Sequence, residues 1–372
     1  MKSYNHLYEK FIDKENIKAA IYAAAKGKKD KKYVENISNN IDTYLPKAVS
    51  YAANFQPSRH TPKEIYDGIQ HKKRQIIVPL FSEQVIHHAV VQVLAPIFMS
   101  GMYEHSYASI PGRGLTSGMK TVKKWIWHDR KNTKYYVKLD IRKFFASVDR
   151  KILLNMLAQK IHDKRFFNIL QRIIMLETGN GLPLGFYTSQ WFANFYLTEL
   201  DHFIKNKLRV VHYIRYMDDM VLFGSNKRKL RKDMQAISTY IDKIGLRLKE
   251  NYQLARFHYV KHGKDRGRFI DFLGFRFYRN RITLRRSLML KLARKARHIA
   301  KKKGAYSIYE ARQMISYWSW LKHTDSYKLY TKRIKPYVDF RVLRNKIKMH
   351  DRRKNNGMER VGKCRNIAAK GD

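Results

Sequence analysis

The stretch His212–Gly224, H-Y-I-R-Y-M-D-D-M-V-L-F-G, constrains this chain more than any other, because it sets two adjacent carboxylates between two runs of strand-forming residues. Tyr213, Ile214 and Tyr216 on one side and Val221, Leu222 and Phe223 on the other favour pleated strands, while Met217 and Asp218 suit a tight turn. Asp218 and Asp219 then sit at the tip of a hairpin. Two Asp in a solvated turn need no special explanation, since Asp bonds readily to its own backbone there. A third carboxylate arriving from another strand changes that reading. Tyr135–Leu139, Y-Y-V-K-L, is again strand-like and runs into Asp140, followed by Ile141, Arg142, Lys143, Phe144 and Phe145.

Four motifs occur in order: S-Y-A-S-I-P-G-R-G (Ser106–Gly114), K-L-D-I-R-K-F-F (Lys138–Phe145), Y-M-D-D (Tyr216–Asp219) and F-L-G-F (Phe272–Phe275). Together they resemble a reverse transcriptase over roughly Lys72 to Gly274, and four ordered motifs are far more specific than any one alone. The resemblance implies an α+β fold, a right-hand polymerase with an antiparallel-sheet palm, mixed fingers and an all-helical thumb. The expected division is a helical extension over 1–50, fingers and palm over 51–284, a helical thumb over 285–350 and a basic flexible tail over 351–372.

The implied activity is RNA-templated DNA synthesis from deoxynucleoside triphosphates with two Mg²⁺ ions, Mn²⁺ being a substitute. Joining a 3′-hydroxyl to an α-phosphate builds negative charge on entering and leaving oxygens, which two ions ~4 Å apart meet. Mg²⁺ keeps several waters, so a few carboxylates and substrate phosphates suffice. Asp140 and Asp218 are the expected ligands, with Asp219 in support and the Ile141 carbonyl as a fourth.

Further expectations follow residue by residue. Lys72 and Arg74, before the short strand Q-I-I-V-P, fit the fingers position that reaches the triphosphate, Arg74 by bidentate grip. Phe145 matches the bulky ring that packs where a ribose 2′-hydroxyl would sit and so selects deoxynucleotides. Lys249 lies in G-L-R-L-K-E-N, near the nucleotide in the family. Arg113 and Gly114 are expected at the template strand, with Gln190, Tyr216 and Met217 along template and primer, and Leu273 and Gly274 at the primer end. Most reverse transcriptases carry Gln-Gly where this chain has Leu184-Gly185, and Ser-Pro where it has Ser189-Gln190. These departures, with W-F-A-N-F-Y-L after them, resemble the enzymes of diversity-generating retroelements and imply relaxed fidelity through lost hydrogen bonding at Leu184. A phage-defence enzyme using a partner noncoding RNA is the alternative, and a catalytically silent RNA-binding scaffold is the alternative of another class.

The formal net charge of +47, from 77 Lys and Arg against 30 Asp and Glu, demands a polyanionic partner. An RNA template, an RNA–DNA duplex and a structured noncoding RNA all fit, and related enzymes add a small accessory protein. Residues 279–372 hold 28 Lys and Arg against 6 Asp and Glu, in a pattern with one apolar and one basic helical face. The single cysteine, Cys364, excludes an internal disulfide and suits a cytoplasmic location. The N-terminus lacks a signal-peptide core and no apolar run approaches the ~20 residues that span a bilayer, so no membrane partner is expected. Helices are expected over 82–98 and 150–176, and from the Gly179–Gln190 stretch through Lys205. His87, His88, Trp318 and Trp320 read as packing residues.

Overall fold

The computed structural model describes residues 3–28, 31–66, 73–176 and 180–352. Lys72, Cys364 and nearly all of the 351–372 tail lie outside the described residues. The chain divides into two compact units, Met1–Arg256 and Phe257–Asp372. The division therefore falls at 256/257, where the sequence reading had separated residues 1–50 and set a boundary at 284/285.

In the first unit, a two-stranded antiparallel ribbon, β1 (Lys63–Tyr66) and β2 (Lys73–Ile76), precedes a four-stranded sheet of β3 (Tyr135–Asp140), β4 (His212–Tyr216), β5 (Asp219–Gly224) and β6 (Gln253–Arg256). The sheet order is β4-β5-β3-β6 and every pairing is antiparallel. β3 and β5 are the inner strands, and Tyr136, Val137, Leu139, Val221, Leu222 and Phe223 are all 1 % exposed or less. Such near-continuous burial fits strands covered on both faces.

The N-terminal segment forms α1 (Leu7–Ile12), α2 (Lys14–Ala25), α3 (Lys32–Asn39) and α4 (Ile41–Ala53). Rather than standing apart, it shares one core with the rest of the unit through Leu7, Phe11, Ile17, Ala20, Ile21 and Ala24. Small alanine side chains on α2 let it pack closely on α5 (Phe81–Gly101). The N–H groups of Leu7 and Tyr8 both donate to Asp163 Oδ2 at 2.8 Å. Among the described residues α5 is the one helix long and apolar enough to cross a membrane, a length the sequence reading had not credited. Over half of its apolar window is buried inside the protein, with Glu83 and His87 on the buried side, as in the core helix of a globular unit.

α6 (Leu115–His128) and the short α7 (Phe144–Ser147) follow. The single helix expected over 150–176 is instead α8 (Arg150–Ala158) and α9 (Lys164–Ile174). The break has two physical causes: Asp163 caps α9 by accepting from Phe166 N at 3.0 Å, and Lys160 and His162 exchange backbone hydrogen bonds with Tyr4. The helix expected through Lys205 is likewise divided into α10 (Tyr187–Tyr196), α11 (Thr198–His202) and a π-helical turn at Phe203–Lys207. α12 (Lys227–Lys243) closes the unit's helices.

The second unit holds a β7 (Tyr259–Lys261)–β8 (Lys264–Arg266) hairpin and a three-stranded sheet, β9 (Ile270–Phe272), β10 (Phe275–Phe277) and β11 (Ile282–Leu284). Helices α13 (Arg286–Lys301), α14 (Ile308–Leu321) and α15 (Tyr327–Arg333) follow, then a helix over 340–352. Trp318 packs on Phe340 and Tyr330, with ring centroids 4.5 and 5.0 Å away, whereas Trp320 packs on Phe275 of the sheet.

Candidate active site

Register brings the carboxylates together. Asp140 ends β3 directly opposite Asp219, the first residue of β5, and Tyr216 pairs with Asp219 across the two-residue turn Met217-Asp218. Like charges directly opposite on neighbouring strands repel. Burial pushes the Asp218 carboxyl above its usual range and neighbouring Asp140 adds to the shift, while Lys249 and Arg74 pull the other way. Asp219 is raised further, to about 7, again chiefly by burial, against the pull of Lys138.

Two lysines answer this charge. Lys249 Nζ donates to Asp140 Oδ2 at 2.7 Å and Lys138 Nζ lies 3.2 Å from Asp219 Oδ2. The second oxygen of each carboxylate, Asp140 Oδ1 and Asp219 Oδ1, is buried without a hydrogen-bond partner. An unpaired buried carboxylate oxygen is costly, and a hard divalent cation with oxygen ligands is the group that relieves it. The residues present therefore fit such an ion. Among the described residues no set of three or more His, Cys, Asp and Glu side chains is gathered as a self-sufficient metal cage. Ile141 is fully buried, and the bonds of its bridge to Leu248 run from Arg142 N to Arg247 O and from Lys249 N to Asp140 O. Its own carbonyl is left out of that ladder.

The turn itself is strained. Met217 has φ +57°, a region non-glycine residues enter at a cost of about 1–3 kcal/mol. What holds it is a wholly buried polar network that the sequence reading missed. The Arg215 guanidinium donates to Met217 O at 3.1 Å and to Asn194 Oδ1 at 3.0 Å, and is clamped on its other edge by Asp201 through Nε at 2.8 Å and Nη2 at 2.6 Å. Tyr213 donates its hydroxyl to the same Asp201 at 2.7 Å. Asn194 also donates to Ala108 O, and Tyr107 and His105 exchange backbone hydrogen bonds with Arg215, so the S-Y-A-S-I-P-G-R-G loop is fastened to β4. An Arg in the middle of an otherwise strand-forming run was the available signal. Lys138 was missed too, although alternation puts it on the same face of β3 as Asp140.

The remaining expected residues are distributed as follows. Arg74, on the exposed ribbon strand β2, lies close enough to Asp218 to influence its charge. Leu184 O accepts from Ile77 N at 2.7 Å, just past that strand, and Gly185 has φ +110° with Ile77 O only 2.1 Å from where a Cβ would stand. Phe145 is half-buried, its backbone oxygen accepting from Leu182 N at 2.7 Å. Gln190 is exposed on α10, and Tyr216 is half-buried. Gly112 and Gly114 have open space around them. Arg113, expected at a template phosphate, donates through Nη1 to Tyr103 O at 2.9 Å. Gly274, expected to give backbone access to a primer, is buried: a Cβ there would stand 2.5 Å from the Trp320 ring, and Leu273 beside it is 7 % exposed. The small residue at 274 serves that packing. His87 is buried and bonds Thr188 Oγ1 at 2.9 Å, and His88 stacks on Tyr187, both as packing residues.

Known proteins are similar to parts of this chain. The Retron Ec73 reverse transcriptase of Escherichia coli is 27% identical over 159 residues, 39% of this chain and 48% of that protein. The group II intron-encoded protein LtrA of Lactococcus lactis is 25% identical over 142 residues, 36% of this chain and 23% of that protein. These matches span about half the length of the curated relatives, or less. Among solved structures, apo telomerase from Candida tropicalis aligns with a TM-score of 0.49 at 13% identity, covering 70% of this chain and 52% of that one. The profile of the family described as reverse transcriptase (RNA-dependent DNA polymerase) matches residues 61–277, more than half of the 372. Since that match runs from the ribbon carrying Arg74, through the carboxylate-bearing sheet, to the last residue of β10, this chain belongs to the reverse transcriptase family.

Proposed function

We propose that this chain synthesises DNA on an RNA template by metal-assisted nucleotidyl transfer. The observation that carries the reading is the meeting of Asp140, Asp218 and Asp219 across β3 and the β4–β5 turn, with two of their oxygens buried and unpartnered. Divalent ions, Mg²⁺ foremost and Mn²⁺ in its place, would be held by Asp140 and Asp218 with Asp219 and the Ile141 carbonyl in support, and would stabilise charge on the entering and leaving oxygens. The protein's own work is positioning and neutralisation. Arg74, with Lys72, serves the triphosphate, and Lys249 stands beside Asp140 where it can turn from carboxylate to phosphate. Phe145 sets sugar choice and Leu184-Gly185 shapes the nascent base pair. Palm, fingers and thumb then correspond to the β3–β6 sheet, the segment around β1–β2, and the basic helices from Arg286 onward.

The partners in this reading are an RNA template and its RNA–DNA duplex, deoxynucleoside triphosphates, a structured noncoding RNA and a small accessory protein, in the cytoplasm. Leu184-Gly185 with Ser189-Gln190 supports a diversity-generating retroelement and relaxed fidelity. The similarity to a retron enzyme supports a second reading, a phage-defence polymerase with its own noncoding RNA. Primer extension on an RNA template with Mg²⁺ and deoxynucleotides tests the activity. Extension by the unchanged chain and none by Asp218→Ala is the expected result, and no extension by either across templates and metal concentrations would overturn the proposal.

A further inference from the structure

The end of the β4-β5-β3 strands remote from the carboxylates gathers three segments that the reaction does not use. They are 129–134 (D-R-K-N-T-K) before β3, 205–211 (K-N-K-L-R-V-V) before β4, and 226–232 (N-K-R-K-L-R-K) at the start of α12. The register puts Tyr135, which opens β3, opposite Gly224, which closes β5, and His212, which opens β4, opposite Phe223. Neighbouring strands are about 4.8 Å apart, so the three segments form one edge, about 17 Å from Asp219 by the rise of β5. They are fastened together. His212 Nε2 lies 2.9 Å from Asp129 Oδ2, Lys229 Nζ donates to Leu208 O at 3.0 Å, and Lys205 Nζ donates to Val210 O at 2.8 Å.

Eleven Lys and Arg stand in these segments against a single acid, Asp129. That carboxylate is occupied by His212 and by the N–H groups of Asn132, and Asp233, just beyond, is paired with Lys229 at 2.8 Å. Lys131, Arg209, Arg228 and Lys232 are exposed, and none has a carboxylate partner among the described residues. The placement works against the fold, because α12 opens on Lys and Arg with no acid in its first turn, where the helix dipole favours anions. Self-repulsion of this kind is relieved by a bound polyanion. None of the three segments contains an aromatic residue. Single strands are held by stacking their bases on aromatic rings as well as by charge, so this edge has the chemistry for phosphates and not for bases.

We propose that this edge is a docking surface for double-stranded RNA, gripped through its phosphates. The proposal rests on the polymerase reading above, in which the duplex under synthesis lies at the carboxylate end of the sheet. The double helix that reaches the opposite end is then a base-paired portion of the RNA outside the copied tract. Paired RNA is recognised by its shape and by contacts to phosphate and 2′-hydroxyl groups, since side chains cannot read its deep groove. A rigid row of exposed guanidinium and ammonium groups meets that need, and it anchors the RNA without entering the reaction site.

The test titrates a labelled, blunt RNA duplex of about 20 base pairs with the full chain at a series of salt concentrations. The triple variant Lys131→Gln, Arg209→Gln, Arg228→Gln removes one cation from each segment. Each lost phosphate contact lowers the slope of log affinity against log salt by about one, which is roughly fivefold in affinity at about 0.15 M salt. The variant should therefore bind about a hundredfold more weakly, with its slope lower by about three. Primer extension on an unpaired RNA template should be unchanged. Lys261→Gln with Lys264→Gln and Arg266→Gln, on the β7–β8 hairpin, removes the same charge elsewhere and should cost far less. An equal loss in that control overturns the proposal in favour of unlocalised attraction by the net charge. So does an equal loss for single-stranded RNA of the same length, or a DNA duplex that binds as tightly as the RNA duplex and is as sensitive to the variant. Superimposed RNA-duplex titrations of the unchanged and triple-variant chains overturn it as a merely solvated face. Where the triple variant unfolds, Arg228→Gln alone decides: binding about fivefold weaker supports the proposal and unaltered binding overturns it. The titration involves no turnover, so failure of the polymerase reading, seen as no extension by the unchanged chain, is distinguished from failure of this one.

Discussion

Asp201→Asn is the most informative single substitution, because it removes one charge and almost no volume from a site with no access to water. Asp201 and Arg215 are both 0 % exposed, and the carboxylate accepts from Arg215 Nε, Arg215 Nη2 and the Tyr213 hydroxyl. The amide that replaces it keeps one acceptor oxygen and turns a donor toward a guanidinium that is already all donor. Breaking a buried pair by neutralising one member costs about 3–5 kcal/mol, because the surviving charge stays buried and uncompensated. That figure is a large share of the stability of an ordinary domain. The midpoint of urea unfolding, followed by tryptophan fluorescence with the slope held in common, reads the loss. The double change Asp201→Leu with Arg215→Met removes both charges, and apolar replacement of a buried pair is often neutral. It is expected to recover most of the stability. Primer extension should stay depressed in the double variant, because Met217 O still lacks its donor and the turn holding Asp218 is strained. A loss below about 1 kcal/mol for Asp201→Asn, in the range of an exposed pair, would refute the reasoning.

Four further outcomes are expected. Gly185→Ala puts a Cβ against Ile77 O at φ +110°, so at least about 1–3 kcal/mol of strain should appear as a lower unfolding midpoint. An unshifted midpoint would mean the close approach relaxes freely. Burial lowers His87 to about 3, so below the ordinary histidine range the unfolded chain binds a proton the folded chain refuses, and stability falls as pH falls. The slope approaches about 1.4 kcal/mol per pH unit between roughly pH 6 and 4. It should flatten in His87→Gln, measured as urea midpoint against pH; equal slopes in the two proteins would contradict the assignment. Phe145→Ala should admit ribonucleotides and Leu184→Gln should lower the error frequency, read by incorporation ratio and product sequencing; no change in either would remove that residue from its proposed role.

The carboxylate-bearing strands were legible because the physics there is local. Tyr213–Tyr216 and Val221–Phe223 favour the pleat, Met217-Asp218 makes the turn, and β3 ends on Asp140 as expected. What escaped is what depends on distant partners. The pairing of Arg215 with Asp201 joins a strand to a helix 14 positions earlier, and each looks like an ordinary charge until the fold buries both. The break at 159–163 rests on the Asp163 cap and also on Tyr4, and no helical periodicity within 150–176 can announce the second. The packing at Gly274 depends on the Trp320 ring, which lies on a helix far along the chain. The docking of α2 was hidden by its alanines, whose small size reads as weak hydrophobicity but acts as close packing.

The fastening of the amino end has a consequence in time. Leu7 and Tyr8 find their acceptor in Asp163, 156 and 155 positions later. At the roughly 5–20 residues per second of protein synthesis, the first helices wait on the order of ten seconds or more before that acceptor has been made. Throughout that interval the two N–H groups lack this acceptor, although α5, which covers the apolar side of α2, is already made. The start of α1 is thus completed only when the residues that open the ninth helix have been made.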